Sequence, residues 1–441
     1  MNLRLSVEMI SFLVIIFLKD GSVILKMNKC KMDLKDKLRQ FESNFQAPEL
    51  HIGERKCADV DQFVRGEEVT NTCGSYFRSV MVFPEDHRHG EISLNLIWES
   101  DPAVFCLVGK DESFSHVDLR KVLFIDTETT GLAGGVGTLP FMVGMGYFTD
   151  EGFQVEQLLM RDYDEEQAVL WAVRDRLEHC DMLVSYNGKC YDMNILSSRF
   201  TLARMENPAV DLPHLDLLFP VRRLWRRRIS DCSLSNVERA ILGFFRESDI
   251  PSYLIPGLYF DYLRSRDGRL LESVFLHNRW DIVTLVVLSA LIGQIYQYPQ
   301  NHLNHPLDLL SLGKALGNLF RLEEAVVCFR EALNYPVGTE EREEILRLLG
   351  FFLKRRGEWD RAVKVWEYMV QQYPHRILAY EELAKYFEHR VMDIESAVKV
   401  VRRALERIHI MEELKSDLST REDRKDLEYR LARLQRKLNK I

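Results

Sequence analysis

Phe124-Ile125-Asp126-Thr127-Glu128-Thr129-Thr130-Gly131-Leu132 places two carboxylates where an apolar strand ends. The run Val122 to Ile125 is continuously apolar, as in a strand covered on both faces, and leads directly into Asp126. Side chains two apart on a strand share a face, so Asp126 and Glu128 converge. Two acids that close repel unless positive charge lies between them, and Mg2+ or Mn2+ favours carboxylate oxygen. An isolated Asp-x-Glu pair is otherwise a solvated strand end.

The flanking sequence supplies an α/β frame. Apolar runs at Phe141 to Tyr147 and Phe153 to Leu159, separated by Thr149-Asp150-Glu151-Gly152, predict a hairpin. Asp164 is expected to cap an amphipathic helix running to about Cys180, with Glu165 and Glu166 in the first turn, where the helix dipole favours acid. A second buried strand, Met182 to Tyr186, ends at Asn187-Gly188-Lys189-Cys190-Tyr191-Asp192, which puts a third acid at the start of the next helix. His214-Leu215-Asp216 reads as a turn and helix cap. Farther on, His277 and Asp281 lie one helical turn apart on one face, ahead of the apolar stretch Ile282 to Tyr296. Three strands, a helix and a further strand predict an α/β core.

On either side the pattern changes. Residues from about 50 to 115 carry short alternating runs such as Glu91 to Trp98 between Gly, Pro and Asp, which predicts short strands and turns. From about 306 onward the pattern is helical with an internal echo. Ala325, Ala362 and Ala397 recur at intervals of 37 and 35 residues, near the period of about 34 of tetratricopeptide repeats, and Pro374 fits the same register. An irregular bundle is the alternative. Arg421 to Ile441 reads as a charged, solvated helix. The expected organisation is a leader at 1–31, a β-rich segment at 32–119, an α/β domain at 120–298, helical repeats at 306–410 and a charged helix at 411–441.

At 441 residues the chain calls for two or three domains at about 150 residues each, and 46% hydrophobic with 29% charged residues suits a soluble globular protein. With 59 Lys and Arg against 67 Asp and Glu, net charge is −8, so any surface that binds nucleic acid must be local. Eight cysteines form no Cys-x-x-Cys pair, which fits reduced thiols and a cytoplasmic location; Cys57, Cys73, His87 and His89 match no common zinc spacing. The ten-residue apolar run Met9 to Leu18 is too short to span a bilayer and lacks a cleavage site after it, so no membrane association is expected and Met27 or Met32 is the favoured start.

Three acidic motifs in this order resemble the DEDD exonucleases of the ribonuclease-H-like superfamily, and among them the YprB-like proteins, over roughly residues 120 to 298. The resemblance implies that Asp126, Glu128, Asp192 and Asp281 hold two divalent cations, Mg2+ or Mn2+, for phosphodiester hydrolysis. It further implies an α/β ribonuclease-H-like core, a mixed sheet with flanking helices, ahead of the all-α tetratricopeptide-like repeats, and 3′ to 5′ removal of nucleotides from single-stranded DNA or RNA. His277 would orient or deprotonate the water; it sits at the offset of the family's tyrosine subtype but carries the side chain of its histidine subtype. A purely structural histidine is the alternative. Gly131, Gly134, Gly135 and Gly137 are followed by no Gly-Lys-Ser/Thr, which excludes an ATP loop and leaves a substrate-facing turn or a plain hairpin.

Arg222, Arg223, Arg226, Arg227 and Arg228 surround Trp225 in the one dense basic run, where guanidiniums suit phosphates and an indole can stack on a base. With Asn187 they are the candidate contacts to the strand; a solvated helix face is the alternative for the run. Two rival functions stay open: a non-catalytic adaptor that binds a protein through the helical repeats, and a structure-specific endonuclease.

Overall fold

The computed structural model describes residues 59–131, 137–413 and 420–439. The apolar leader, Met27, Met32, Cys57, Gly134 and Gly135 lie outside the described residues. Strands β1 (Glu67–Asn71), β2 (Gly74–Phe83), β5 (Val122–Thr129), β6 (Pro140–Thr149), β7 (Gly152–Leu159), β8 (Met182–Ser185) and β9 (His214–Asp216) form one sheet in the order β1-β2-β7-β6-β5-β8-β9, while β3 (Arg88–His89) and β4 (Ile92–Ser93) make a separate ribbon. From β1 to β5 along that order the neighbours pair antiparallel, whereas β8 runs parallel to β5 and β9 parallel to β8. Parallel neighbours need crossovers. Helix α2 (Glu166–Leu177) leads into β8 and α3 (Asp192–Leu202) leads toward β9, after the short α1 (Val104–Gly109). Then follow α4 (Leu218–Trp225), α5 (Leu234–Val237), α6 (Ile255–Ser265), α7 (Arg269–Gln297) and α8 (Pro299–His302).

The alternation of β5 sorts its side chains into two cores. Val122 and Phe124 join Ile282, Val286 and Leu218 on one face, and Leu123 and Ile125 join Val173, Phe200 and Phe275 on the other. By length and composition α7 could cross a membrane, but 89% of its most apolar window is buried against the rest of the fold. It is the helix around which both cores are organised.

The chain continues as α9 (Pro306–Asn318), α10 (Leu322–Ala332), α11 (Thr339–Arg355), α12 (Trp359–Gln372), α13 (Ile377–Tyr386), α14 (Ile394–Glu413) and α15 (Thr420–Leu438). Ala325, Ala362 and Ala397 are each fully buried on α10, α12 and α14, where a small residue lets neighbouring helices close up.

Four expectations need correction. β1 and β2 come from the segment expected to stand apart, and they complete the main sheet by pairing β2 to β7. Glu91 to Trp98 forms β4 and a 3-10 turn rather than successive strands, because the buried residues are Leu94 and Ile97, three apart as that turn requires. Asp162, not Asp164, caps the entry to α2 by accepting from the Tyr163 amide. The C-terminal helix is not simply solvated: Leu427 and Leu434 are buried, and Arg430, Arg433 and Lys437 converge on the fully buried side chain of Glu388.

The arginine run latches the two halves together. Arg228 Nη2 lies 2.9 Å from Asp308 Oδ2 on α9, and Arg227 Nη1 lies 2.9 Å from Glu344 Oε2 on α11. Asp308 is almost wholly buried, so Arg228→Ala would strand its carboxylate at a cost of about 1–3 kcal/mol. Urea unfolding should register that loss, and adding Asp308→Asn should recover most of it; equal midpoints for Arg228→Ala and the parent would show the latch to be idle.

Candidate metal centre

Asp126, Glu128, Asp192, His277 and Asp281 line one cleft of about 320 Å³, with Thr127, Thr129, Tyr186, Asn187 and Tyr191 beside them. The strand end supplies Asp126 and Glu128 as its alternation requires. Asp192 arrives from the loop after β8. Asn187 there takes a left-handed conformation (φ 64), and a Cβ on Gly188 would collide with Ser185 Oγ, so the Asn-Gly pair is a requirement of the turn. Asp216 clamps the same loop: its carboxylate accepts from the amides of Asn187 at 2.7 Å, Lys189 at 3.1 Å and Leu218 at 3.1 Å. Its helix-cap reading holds, although His214 to Asp216 is a strand rather than a turn.

Helix α7 brings the last two groups. Glu128, His277 and Asp281 offer ligand atoms all within 4.8 Å of one another, the one such group among the described residues. Asp126 and Asp192 are held in the same cleft by other partners: Asn278 Nδ2 donates to Asp126 Oδ2 at 3.0 Å, and the Thr127 amide donates to Asp192 Oδ1 at 3.2 Å, with the Thr127 hydroxyl donating to that oxygen as well.

Burial and mutual repulsion govern the protonation of this set. Burial, then the charges of Asp281, Asp192 and Glu128, hold the Asp126 carboxyl well above its ordinary value. Burial pushes Glu128 up to about 8, reinforced by Asp281 and Asp192 and opposed by His277. Burial raises Asp192 to about 6 against the hydrogen bond from Thr127. For His277, burial would lower the pKa, but Asp281, Asp249 and Glu128 outweigh it and raise it to about 9. The sites that hold protons are therefore those a hard cation would take from them, and an oxygen-rich donor set with one imidazole fits Mg2+ or Mn2+.

Several residues of this centre lay beyond the sequence motifs. Arg246 is nearly buried and bridges Asp281 to Glu238, at 2.5 Å from Glu238 Oε1. Asp249 Oδ1 lies 2.8 Å from His277 Nδ1, which assigns that nitrogen as the donor and turns Nε2 toward Asp281 Oδ2 at 3.3 Å and Ser252 Oγ at 3.4 Å. Asn278 is fully buried and also accepts from Gln157 Nε2 at 3.0 Å; a Cβ on Gly144, the cross-strand partner of Asp126, would collide with its amide. Asn278 had one visible signal, an amide next to His277 in an apolar helix. Arg246 and Asp249 had none, because their position depends on a loop folding back over α7.

The basic run lies away from these acids. Trp225 is buried, so its indole presents no face to a base, which corrects the stacking expectation: helix α4 needs its apolar side for the core. Arg223 Nη1 donates to Val108 O at 2.9 Å and Tyr296 OH at 3.0 Å, and Arg227 and Arg228 are engaged in the latch. Arg222 and Arg226 are exposed, and Asn187 stands in the cleft wall.

Residues 123–292 match the RNase H superfamily model, a span that covers every acid of the cleft. The fold supports a nucleic-acid-processing nuclease as the general class. A family B DNA polymerase from the archaeon Pyrobaculum calidifontis overlaps at a TM-score of 0.33 and 16% identity, over 47% of this chain and 28% of that one. YprB of Bacillus subtilis (strain 168) is 30% identical over 366 residues, 80% of this chain and 84% of the relative. By that extent of identity the chain belongs to the YprB family, with a ribonuclease-H-superfamily domain at its centre.

Proposed function

We propose that the chain is a DEDD-type nuclease that removes nucleotides from the 3′ end of single-stranded DNA or RNA with two Mg2+ or Mn2+ ions. The observation that carries this reading is the arrival of acids from three distant stretches, Asp126 with Glu128, Asp192 and Asp281, in one cleft, where burial holds the carboxyls of Asp126, Glu128 and Asp192 above their ordinary values. Cations held by these four residues would supply acidity to a bound water and neutralise charge on the phosphorus. Asn278 and Thr127 fix which oxygens of Asp126 and Asp192 stay free. His277 is protonated at neutral pH while the acids are bare, so acting as a base requires positive charge in the cleft to displace that proton. Arg246 supplies Asp281 with a partner in the meantime. The helical region, read as tetratricopeptide-like, is the natural seat for a protein partner in the cytoplasm.

Cation binding should be linked to proton release. Asp192 and Glu128 keep protons up to about 6 and about 8, so apparent Mn2+ affinity should climb as pH rises through that window. Calorimetry in buffers of different ionisation heat measures the protons released; affinity that is flat from the lower to the upper bound would remove the acids as ligands.

Activity is tested with 5′-labelled single strands and Mn2+. The strand should shorten as a ladder and release nucleoside 5′-monophosphates, while Asp126→Asn and Asp281→Asn should lose at least about a hundredfold in rate. His277→Ala should lose about 10²- to 10⁴-fold, with partial rescue in His277→Tyr if position matters more than the imidazole. Discrete internal cuts would instead favour an endonuclease, and a folded protein that cuts nothing would favour the adaptor.

A further inference from the structure

We propose that the cavity of about 490 Å³ between α4 and α9 is a second phosphate site, one that grips the backbone of a nucleic-acid strand whose end lies in the metal cleft. The inference rests on the nuclease reading and extends it to a part of the substrate that never meets the metals.

Lys110, Arg222, Arg223, Arg226, Arg227 and Lys314 line this cavity, and no carboxylate is among its described lining residues. They come from three segments: the turn after α1, the α4 run and α9 of the helical region. Their mutual repulsion is only partly relieved. Arg227 and Lys314 share Glu344, with Lys314 Nζ 2.7 Å from its Oε1, and Arg223 is tied to a carbonyl and a tyrosine hydroxyl. Arg222, Arg226 and Lys110 have no ion pair with any described residue. The Lys110 amine is held below its ordinary value first by burial and then by the neighbouring charge of Arg223. On a chain of net charge −8, six cations around one cavity form a local anion sink.

Its position argues for a strand rather than a free anion or an acidic protein. Asp216 holds both the cleft loop at Asn187 and the start of α4 at Leu218, so α4 leaves the metal cleft directly. Eight residues of helix span about 12 Å, and Arg222 and Arg226 lie one turn apart on one face. A strand passing Asn187 would follow that face and present successive phosphates to successive guanidiniums. Lys314 and Ser311 make the helical region part of the strand's path.

The test uses the full chain carrying Asp126→Asn to prevent turnover, with Mn2+ present, and anisotropy of a labelled long single strand and of a labelled trinucleotide over a salt series. Arg222→Gln with Arg226→Gln should weaken the long strand by about tenfold or more and flatten its salt slope by about 0.7 for each phosphate no longer neutralised, leaving the trinucleotide unchanged. Lys110→Gln, on a separate segment, should act in the same direction. Circular dichroism confirms folding, since all three side chains are exposed. Long-strand binding that is equal in the parent and the variants overturns the site, and so does a long strand held no more tightly than the trinucleotide while polyglutamate binds and is released in the double variant. Cleavage by the native chain is scored separately. Variant-sensitive binding without cleavage supports the phosphate site and removes the nuclease reading; cleavage with variant-insensitive binding does the reverse.

Discussion

Repulsion among four carboxylates packed into one largely buried cleft is the constraint to which the rest of the core answers. A lone buried carboxylate is tolerated by staying protonated, but four lining one cleft compound the penalty, since each charge raises the cost of the next. The fold meets that cost in two ways. Protons remain on the most buried acids, and fixed cations lean in from the side, with Arg246 on Asp281 and His277 between Asp281 and Asp249. Both are compensations that divalent ions could replace. A site stabilised only by hydrophobic packing would have no reason to assemble this balance, and replacing the acids by apolar residues would be the simpler way to build the same core.

Positioning falls to α7. Its first turns pack on the face of the sheet that holds Leu123 and Ile125, its later turns on the face that holds Phe124, and the polar residues His277, Asn278 and Asp281 sit where it passes the end of β5. Gly144 on β6 leaves room for the Asn278 amide, which joins Gln157 to Asp126. An apolar helix fixed along both cores is a rigid mount, and rigid mounts hold ligand geometry better than loops do. The opposite wall is a loop, but Asp216 binds three of its neighbouring amides and gives it comparable definition.

Periodicity and turn chemistry make much of this legible in the sequence. The apolar run into Asp126, the hairpin closed at Thr149 and Gly152, the Asn187-Gly188 turn and the one-turn spacing of His277 and Asp281 are local signals, and each is realised locally. What could not be read was non-local. β1 and β2 alternate like any exposed hairpin, and only pairing with β7 makes them part of the main sheet. Ile92, Leu94, Leu96 and Trp98 follow a two-residue period while Leu94 and Ile97 follow a three-residue one in the same short run, and burial of the latter pair chose the second. Arg246 and Asp249 belong to the centre through a loop whose path no window of sequence contains.

The arginine run shows how one compositional signal divides once it is folded. Arg223, Arg227 and Arg228 are satisfied by a carbonyl, a tyrosine and two acids of the helical region, so they act as struts. Trp225 between them anchors α4 in the core. Arg222 and Arg226, one turn apart on the outer face, are left to the solvent with Lys110. Screening confines such a field to about 8–10 Å at ordinary salt, so an excess of acid elsewhere on the chain does not cancel it. Net charge therefore says little about whether this protein can hold a strand: Asp126, Glu128, Asp192 and Asp281 lie in the cleft, where cations would neutralise them, and Arg222, Arg226 and Lys110 are gathered at the far end of a helix that begins beside it.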